Sequence, residues 1–166
     1  ILNAGGRLGK SSYATELLST NDKEIINQKS IKLINLNNKR KEIERLTLKE
    51  IDFDNIDKEN NNIIIYYNAN INEGLIGIIA ARLKDHFNKP SIVITRSGDL
   101  LKGSARSTYN YDIGLAIRKA KDCNIIHIGG GHKMAAGFSL KNNNLKDFKT
   151  FIFRDFINKC AKINQL

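Results

Sequence analysis

Residues 63–95 read IIIYYNANINEGLIGIIAARLKDHFNKPSIVIT, and three patterns follow one another in them. Ile63–Tyr67 is β-branched and aromatic throughout, as suits a strand buried on both faces. From Gly74 to Phe87 the residues Leu75, Ile78, Ile79 and Leu83 recur at helical spacing, Pro90 punctuates, and Ser91–Thr95 is a second buried strand. Strand, helix and strand in this order imply a parallel pair with a right-handed crossover.

Downstream, Ser97-Gly98-Asp99 makes a turn, and Leu100–Ser104 is a third strand returning beside the second as a hairpin. Asp112 caps a helix that runs to about Lys121. Asn124–Ile128 is a short strand, Gly129-Gly130-Gly131 a tight backbone, Ala136–Leu140 another strand and Leu145–Ala161 a closing helix. The predicted class is α/β: a mixed sheet of about five strands with flanking helices.

Upstream, Asp52–Asn62 (DFDNIDKENNN) is acidic and Asn-rich and reads as a linker. Before it, Asp22–Glu50 contains no Gly or Pro, and Ile26, Leu33, Leu36, Ile43 and Leu46 repeat at alternating spacings of seven and three. At 1.5 Å per residue that helix is about 40 Å long, an interdomain strut or a coiled-coil arm. The chain opens with ILNAGGRLGKSS, a glycine-rich loop followed by a helix capped at Ser11 or Ser12 and ending near Leu18. The expected organisation is a leading segment (1–20), a connector helix with its linker (21–55) and a sheet domain (56–166).

A chain of 166 residues holds one modest domain plus an extended element, which excludes a complete multidomain enzyme. Its net charge of +10 is uneven: residues 1–55 carry ten basic and eight acidic side chains, and residues 56–166 carry seventeen and nine. The second part would attract a polyanion, nucleic acid first, although Lys-rich composition with solvated lysines gives the same arithmetic. Two cysteines, Cys123 and Cys160, build no disulfide framework, and no signal-like segment opens the chain, so a cytoplasmic location is expected. The run Gly74–Leu83 is half the roughly 20 residues a membrane span needs. Ile1 in first position suggests a piece of a longer chain or a processed product.

Two motifs carry chemistry. In GGGHKMAAGF (Gly129–Phe138) the glycines Gly129, Gly130 and Gly131 relax steric limits, so that backbone N–H groups converge on an anion, and His132 and Lys133 add donors. The alternative is a plain glycine turn. In KGSARS (Lys102–Ser107) strand alternation puts Lys102, Ser104 and Arg106 on one face, three groups suited to phosphate oxygens, or else a solvated strand face. Arg7, among glycines at a helix entrance, is a weaker anion candidate. Gly74–Gly77 has the form of a GxxG loop, but close packing of helix on sheet explains it better.

Cys123, His127 and His132 lack the paired spacing of a zinc site, and His86 reads as a helix-surface residue. Asp85, Asp99, Asp112 and Asp122 are scattered, whereas two-metal phosphodiester hydrolysis needs convergent carboxylates and histidines. From its residues the chain binds a phosphate-rich ligand better than it cleaves one.

Taken in order, NAGGRLG (Asn3–Gly9), the long charged helix, GLIGIIAARL (Gly74–Leu83), KGSARS and GGGHKMAAGF resemble the RecJ family, single-stranded-DNA-specific 5′→3′ exonucleases of the DHH phosphoesterase superfamily. The likeness covers essentially the whole chain. It implies that residues 1–20 end a catalytic DHH domain, that the helix is the strut, and that 56–166 is the DHH-associated domain. It implies too that Mn or Mg and its aspartate and histidine ligands lie upstream of this chain, with DNA held between the two domains. By the same resemblance Arg7 matches an arginine near the 5′-phosphate, Ser104 and Arg106 a serine–arginine pair on the opposing wall, and Gly129–His132 a glycine–histidine loop. The implied partners are single-stranded DNA and, in repair and recombination, a single-stranded-DNA-binding protein. Ile71-Asn72 stand where the family usually has a Trp-His-type pair, so no aromatic or imidazole role transfers there. The oligonucleotide-binding barrel that often follows is also missing, which implies weaker DNA binding. Two rival readings are another DHH-superfamily enzyme acting on oligoribonucleotides or a small nucleotide, and a non-catalytic dimerisation module built on the helix.

Overall fold

The helix expected from Asp22 onward is capped as its first residue demands. In the computed structural model, which describes residues 1–58 and 62–163, the chain divides into two units, Ile1–Asp52 and Phe53–Leu166. The first is helical: α1 (Ala4–Arg7), α2 (Ser12–Ser19) and α3 (Lys23–Glu50). The Asp22 side chain accepts hydrogen bonds from the N–H groups of Glu24 and Ile25, satisfying two of the orphan donors at the start of α3. The opening expected as a loop contains one helical turn, α1, closed where Lys10 N–H donates to Gly5 O at 2.7 Å. A Cβ on Gly5 would lie 2.4 Å from Lys10 O, so this fold-back needs glycine. α1 and α2 both pack on α3, and Lys29 of α3 is paired with Glu16 of α2.

The expected apolar stripe on α3 does not hold along its length. Leu33 is fully buried, but Leu46 is 47% exposed, as are Ile31 and Ile34 to a similar degree. The reason is geometric: steps of seven and three residues stand for three turns in ten residues, about 3.3 per turn against 3.6 in a straight helix, and between Ile26 and Leu46 the drift approaches half a revolution. Eleven residues make about three whole turns, so the face of Leu33 passes instead through Glu44, which is buried and paired with Arg40 at 2.6 Å.

The second unit contains α4 (Phe53–Lys58), β1 (Ile64–Tyr67), α5 (Ile76–Phe87), β2 (Ser91–Ser97), β3 (Leu100–Arg106), α6 (Ile113–Asp122), β4 (Ile128–His132), β5 (Ala135–Lys141) and α7 (Leu145–Ile163). The five strands form a mixed sheet in the order β1-β2-β3-β5-β4, with β1 and β2 parallel across the α5 crossover and every other pair antiparallel. Asp112 caps α6 by accepting from Leu115 N–H at 2.8 Å.

Three local expectations need correction. The linker is helical over Phe53–Lys58, because the Phe53 ring packs on His86 and Phe87 with centroids 4.8 and 5.7 Å away; residues 59–61 of that linker lie outside the described residues. No strand covers 124–127. There Asn124 turns through a left-handed φ of 56°, and the N–H groups of Ile125 and Ile126 donate back to Ala120 O at the end of α6. The strand begins at Ile128 and includes the three glycines, which are therefore extended ladder residues and not a turn.

The core fills one face of the sheet. Ile92, Ile94, Leu101, Ala105, Phe138 and Leu140 point there and meet Ile117 of α6 and Phe148 and Ile152 of α7. Each such burial contributes roughly 1.5–3 kcal/mol. Phe138 and Phe148 pack with centroids 4.5 Å apart, and Gly103 is indispensable beneath them, since a Cβ there would fall 2.1 Å from Phe138 Cζ. On the opposite face α5 packs against β2 and β3. Among the described residues no helix is long and apolar enough to cross a membrane.

Candidate nucleic-acid interface

Strand alternation and register assign the α5-side face of the sheet. Arg106 pairs with Ala135, which pairs with His132; Ser104 pairs with Gly137, which pairs with Gly130; Lys102 pairs with Ser139, which pairs with Ile128. Residues opposite one another in a ladder point to the same side, so these nine positions form three rows across β3, β5 and β4 on one face. Ser104, Arg106 and His132 thus share one surface. The concavity beside them, about 360 Å³, is lined by Ile76 at the start of α5, Lys102, Ile128, Gly130, Gly137 and Ser139.

The glycines of this sheet fall into two groups. Those whose Cβ would point toward the core are required by packing: Gly103 lies against the Phe138 ring, and a Cβ on Gly129 would come within 2.5 Å of Ile126 Cδ1 and 2.8 Å of Ile117 Cγ2. Gly131 is equally confined, 2.3 Å from Ala135 O. Gly130 and Gly137 look the other way. A Cβ on Gly130 would meet nothing within 4 Å, and one on Gly137 only Gly103 O at 3.9 Å. Among the described residues nothing excludes a Cβ at either position, and a strand loses stability by carrying glycine. Together they leave bare backbone as a floor between Ser104 and the β4 edge.

Around that floor the polar groups are ordered by short bonds. Arg106 Nη1 donates to Ser104 Oγ at 3.2 Å and to Ala105 O at 2.8 Å, so guanidinium and hydroxyl act as one unit. Gly77, in the first turn of α5, comes close above them: a Cβ there would be 3.0 Å from Arg106 Nη2 and 3.1 Å from Ser104 Oγ. The expectation of close helix-on-sheet packing for that glycine holds, against these two side chains in particular. Lys102 Nζ donates to Glu73 Oε2 at 2.9 Å, and Ser97 Oγ donates to the same oxygen. The bonds from Ser97 and then Lys102 hold the Glu73 carboxyl below the usual carboxylate range.

Other expected residues are placed differently. Lys133 occupies the two-residue turn between β4 and β5, and its ammonium lies 4.0 Å from the centre of the Tyr109 ring, over a separate cavity. Arg7 ends α1 in the first unit and is partly buried there. The reading of Gly129–Gly131 as converging N–H donors fails, because successive N–H groups of an extended strand point in opposite directions. One edge carbonyl, Gly131 O, is taken by Arg118 Nη1 at 3.1 Å. Gly137, with Ala135 and Ala136, is expected from the sequence to allow close approach; sequence reading missed Ser139 and Ile128, which only register brings beside Lys102, and Glu73, which lies 29 residues from the lysine it binds.

Ile71-Asn72 have structural work to do. Ile71 is buried with its carbonyl accepting from Thr95 Oγ1 at 2.7 Å, and Asn72 Oδ1 accepts from Gly74 N–H at 2.9 Å to shape the entrance to α5. Among the described residues no three His, Cys, Asp or Glu side chains gather where a metal ion could sit, so these residues do not fit the Mn or Mg that the resemblance implies for a catalytic domain.

Comparison with known proteins gives this arrangement its relatives. Residues 60–159 match the model of the DHHA1 domain family. The single-stranded-DNA-specific exonuclease RecJ of Haemophilus influenzae is 33% identical over 156 residues, covering 89% of this chain and 27% of that protein. RecJ of Dickeya dadantii is 31% identical over 176 residues, covering 99% and 30%. The chain therefore spans less than a third of the length of these relatives. Crystal structures of RecJ from Thermus thermophilus superpose on 92% of the chain, with a TM-score of 0.79 and 27% identity in complex with Mn2+ and 0.77 and 26% in complex with Mg2+; the chain covers 22% and 24% of them. By its sequence over 60–159, by its sheet order and by these likenesses, the chain belongs to the DHHA1 domain family, with RecJ exonucleases as relatives.

Proposed function

We propose that the α5-side face of β3, β5 and β4 grips the sugar–phosphate backbone of single-stranded DNA on behalf of a RecJ-like exonuclease. Arg106 and Ser104 hold one phosphate as a joined guanidinium and hydroxyl, His132 and Lys102 flank the path, and the Gly129–Gly131 strand with Gly137 lets the polymer lie close to the sheet. Hydrolysis, the Mn or Mg that activates water and the 5′→3′ direction belong in this reading to a DHH domain acting beside the chain, in cytoplasmic repair and recombination. Arg7 is proposed as a further phosphate contact, and single-stranded-DNA-binding protein as a further partner, on family likeness alone. The observation that carries the proposal is the pair Gly130 and Gly137: two strand glycines with open space above them, in register with Ser104 and one row from Arg106 and His132.

The test is a fluorescence-anisotropy titration with labelled single-stranded DNA over a range of salt concentrations. Backbone contact predicts that log K falls linearly with log salt by about 0.7 for each phosphate neutralised. Arg106→Ala should weaken binding about tenfold for every sequence alike and flatten the slope by about one contact. An affinity independent of salt, or a loss confined to certain sequences, would require base readout in place of backbone grip.

A further inference from the structure

A second cavity lies outside this face. It measures about 500 Å³ and is lined by Tyr109, Asn110, Lys119, Lys133, Asp155 and Asn158 together with the start of α6. Tyr109 is 78% exposed, the most open of the large hydrophobic side chains in the described residues. An aromatic ring left in water needs a reason, and here Lys133 Nζ, 4.0 Å from the ring centre, steadies it by a cation–π contact. The wall opposite is rigid: Tyr111 Oη donates to Asp155 Oδ2 at 3.0 Å, Lys119 Nζ donates to Asp155 Oδ1 at 2.8 Å, and Ser107 Oγ donates to Tyr111 O at 2.6 Å.

The composition of this cavity differs from that of a phosphate cradle. Lys119, Lys133 and Lys159 are offset by Asp112 and Asp155, leaving one net positive charge, while Asn110 and Asn158 supply amide donors and acceptors. An exposed ring, two amides and a carboxylate are suited to a nucleobase: the ring stacks on its face and the polar groups meet its edge. Position allows the same ligand: the cavity is walled by α6 and α7 on the core side of the sheet, and because Lys133 follows His132 directly in the chain, a strand on the glycine face reaches it by rounding the β4–β5 turn.

We propose that this cavity is a base-stacking subsite in which Tyr109 receives one base of a strand whose backbone lies on the Gly130–Gly137 face. The inference rests on the strand-gripping reading and extends it. It is tested with single strands of about four and about twelve nucleotides, the longer ones carrying 2-aminopurine at successive positions, titrated against the unaltered chain, Tyr109→Ala, Tyr109→Phe and Arg106→Ala. Circular dichroism and thermal melting first establish that the exposed substitution leaves the fold intact. The expected result is 2-aminopurine quenching at one position, a roughly tenfold loss of long-strand affinity in Tyr109→Ala, retention in Tyr109→Phe, and no change with the short strand. Equal long-strand affinity in Tyr109→Ala and the unaltered chain, with Arg106→Ala still weakened, would overturn the subsite and leave the backbone grip standing. Absence of binding by the unaltered chain would remove both.

Discussion

Arg106 and Ser104 meet a phosphate only if the surface beside them stays bare, which is why the glycines of the face make the sharpest test at the level of single residues. Gly130→Val should hold or slightly raise the unfolding free energy, since its Cβ points into open space and the strand no longer carries a glycine there, yet it should abolish most binding by placing an isopropyl group where the backbone of the strand would lie. Gly103→Ala, one row over but facing the core, should behave in the opposite way. Its methyl would collide with the Phe138 ring, so a loss of about 1–3 kcal/mol in urea unfolding is expected. Comparable destabilisation by both substitutions would deny that the two groups of glycines differ.

Glu73 adds an electrostatic counterpart. It engages Lys102 and carries negative charge beside a proposed anion path, so Glu73→Gln should tighten DNA two- to threefold, a magnitude expected of an exposed pair. Its carboxyl is depressed in the folded state, so the bond to Lys102 persists above the ordinary carboxylate range and is lost as pH falls through the lowered value. A titration of wild-type affinity should therefore show the Gln-like strength only in acid. An unaltered affinity in the variant at neutral pH would take Glu73 out of the account.

At the level of elements, the sequence announced what local rules control. The crossover at 63–95, the β2–β3 hairpin and the Asp112 cap were all legible, because buried-strand composition, glycine turns and capping side chains act within a few residues of themselves. Three readings failed where a longer-range constraint took over. The helix at Phe53–Lys58 depends on ring packing against His86 and Phe87; the glycines of β4 are extended because β5 pairs with them; and the α3 stripe drifts because seven plus three residues fall short of three full turns. The same limit applies to the site. KGSARS could be read as one face from alternation alone, whereas Gly137 and Ile128 join it only through register with another strand. The cap of α3 gives an element-scale prediction: Asp22→Ala should cost about 1 kcal/mol of helix stability, measurable as a fall in thermal midpoint, because two N–H groups lose their acceptor. An unchanged midpoint would mean that this helix end carries no stability.

For the molecule as a whole, charge alone does not single out a binding surface. Seventeen basic residues lie in 56–166, and many of them, such as Lys121, Lys146 and Lys149, lie outside both KGSARS and GGGHKMAAGF. A basic protein can hold DNA anywhere on such a surface, whereas the proposed grip holds it in one place. The measurement that separates the two is an amide chemical-shift titration with single-stranded DNA. The account predicts that the largest changes fall on Ser104, Arg106, Gly130, His132 and Gly137, in two adjoining rows across β3, β5 and β4. Changes spread over the lysines of α3 and α7, with Gly130 and Gly137 unmoved, would contradict it.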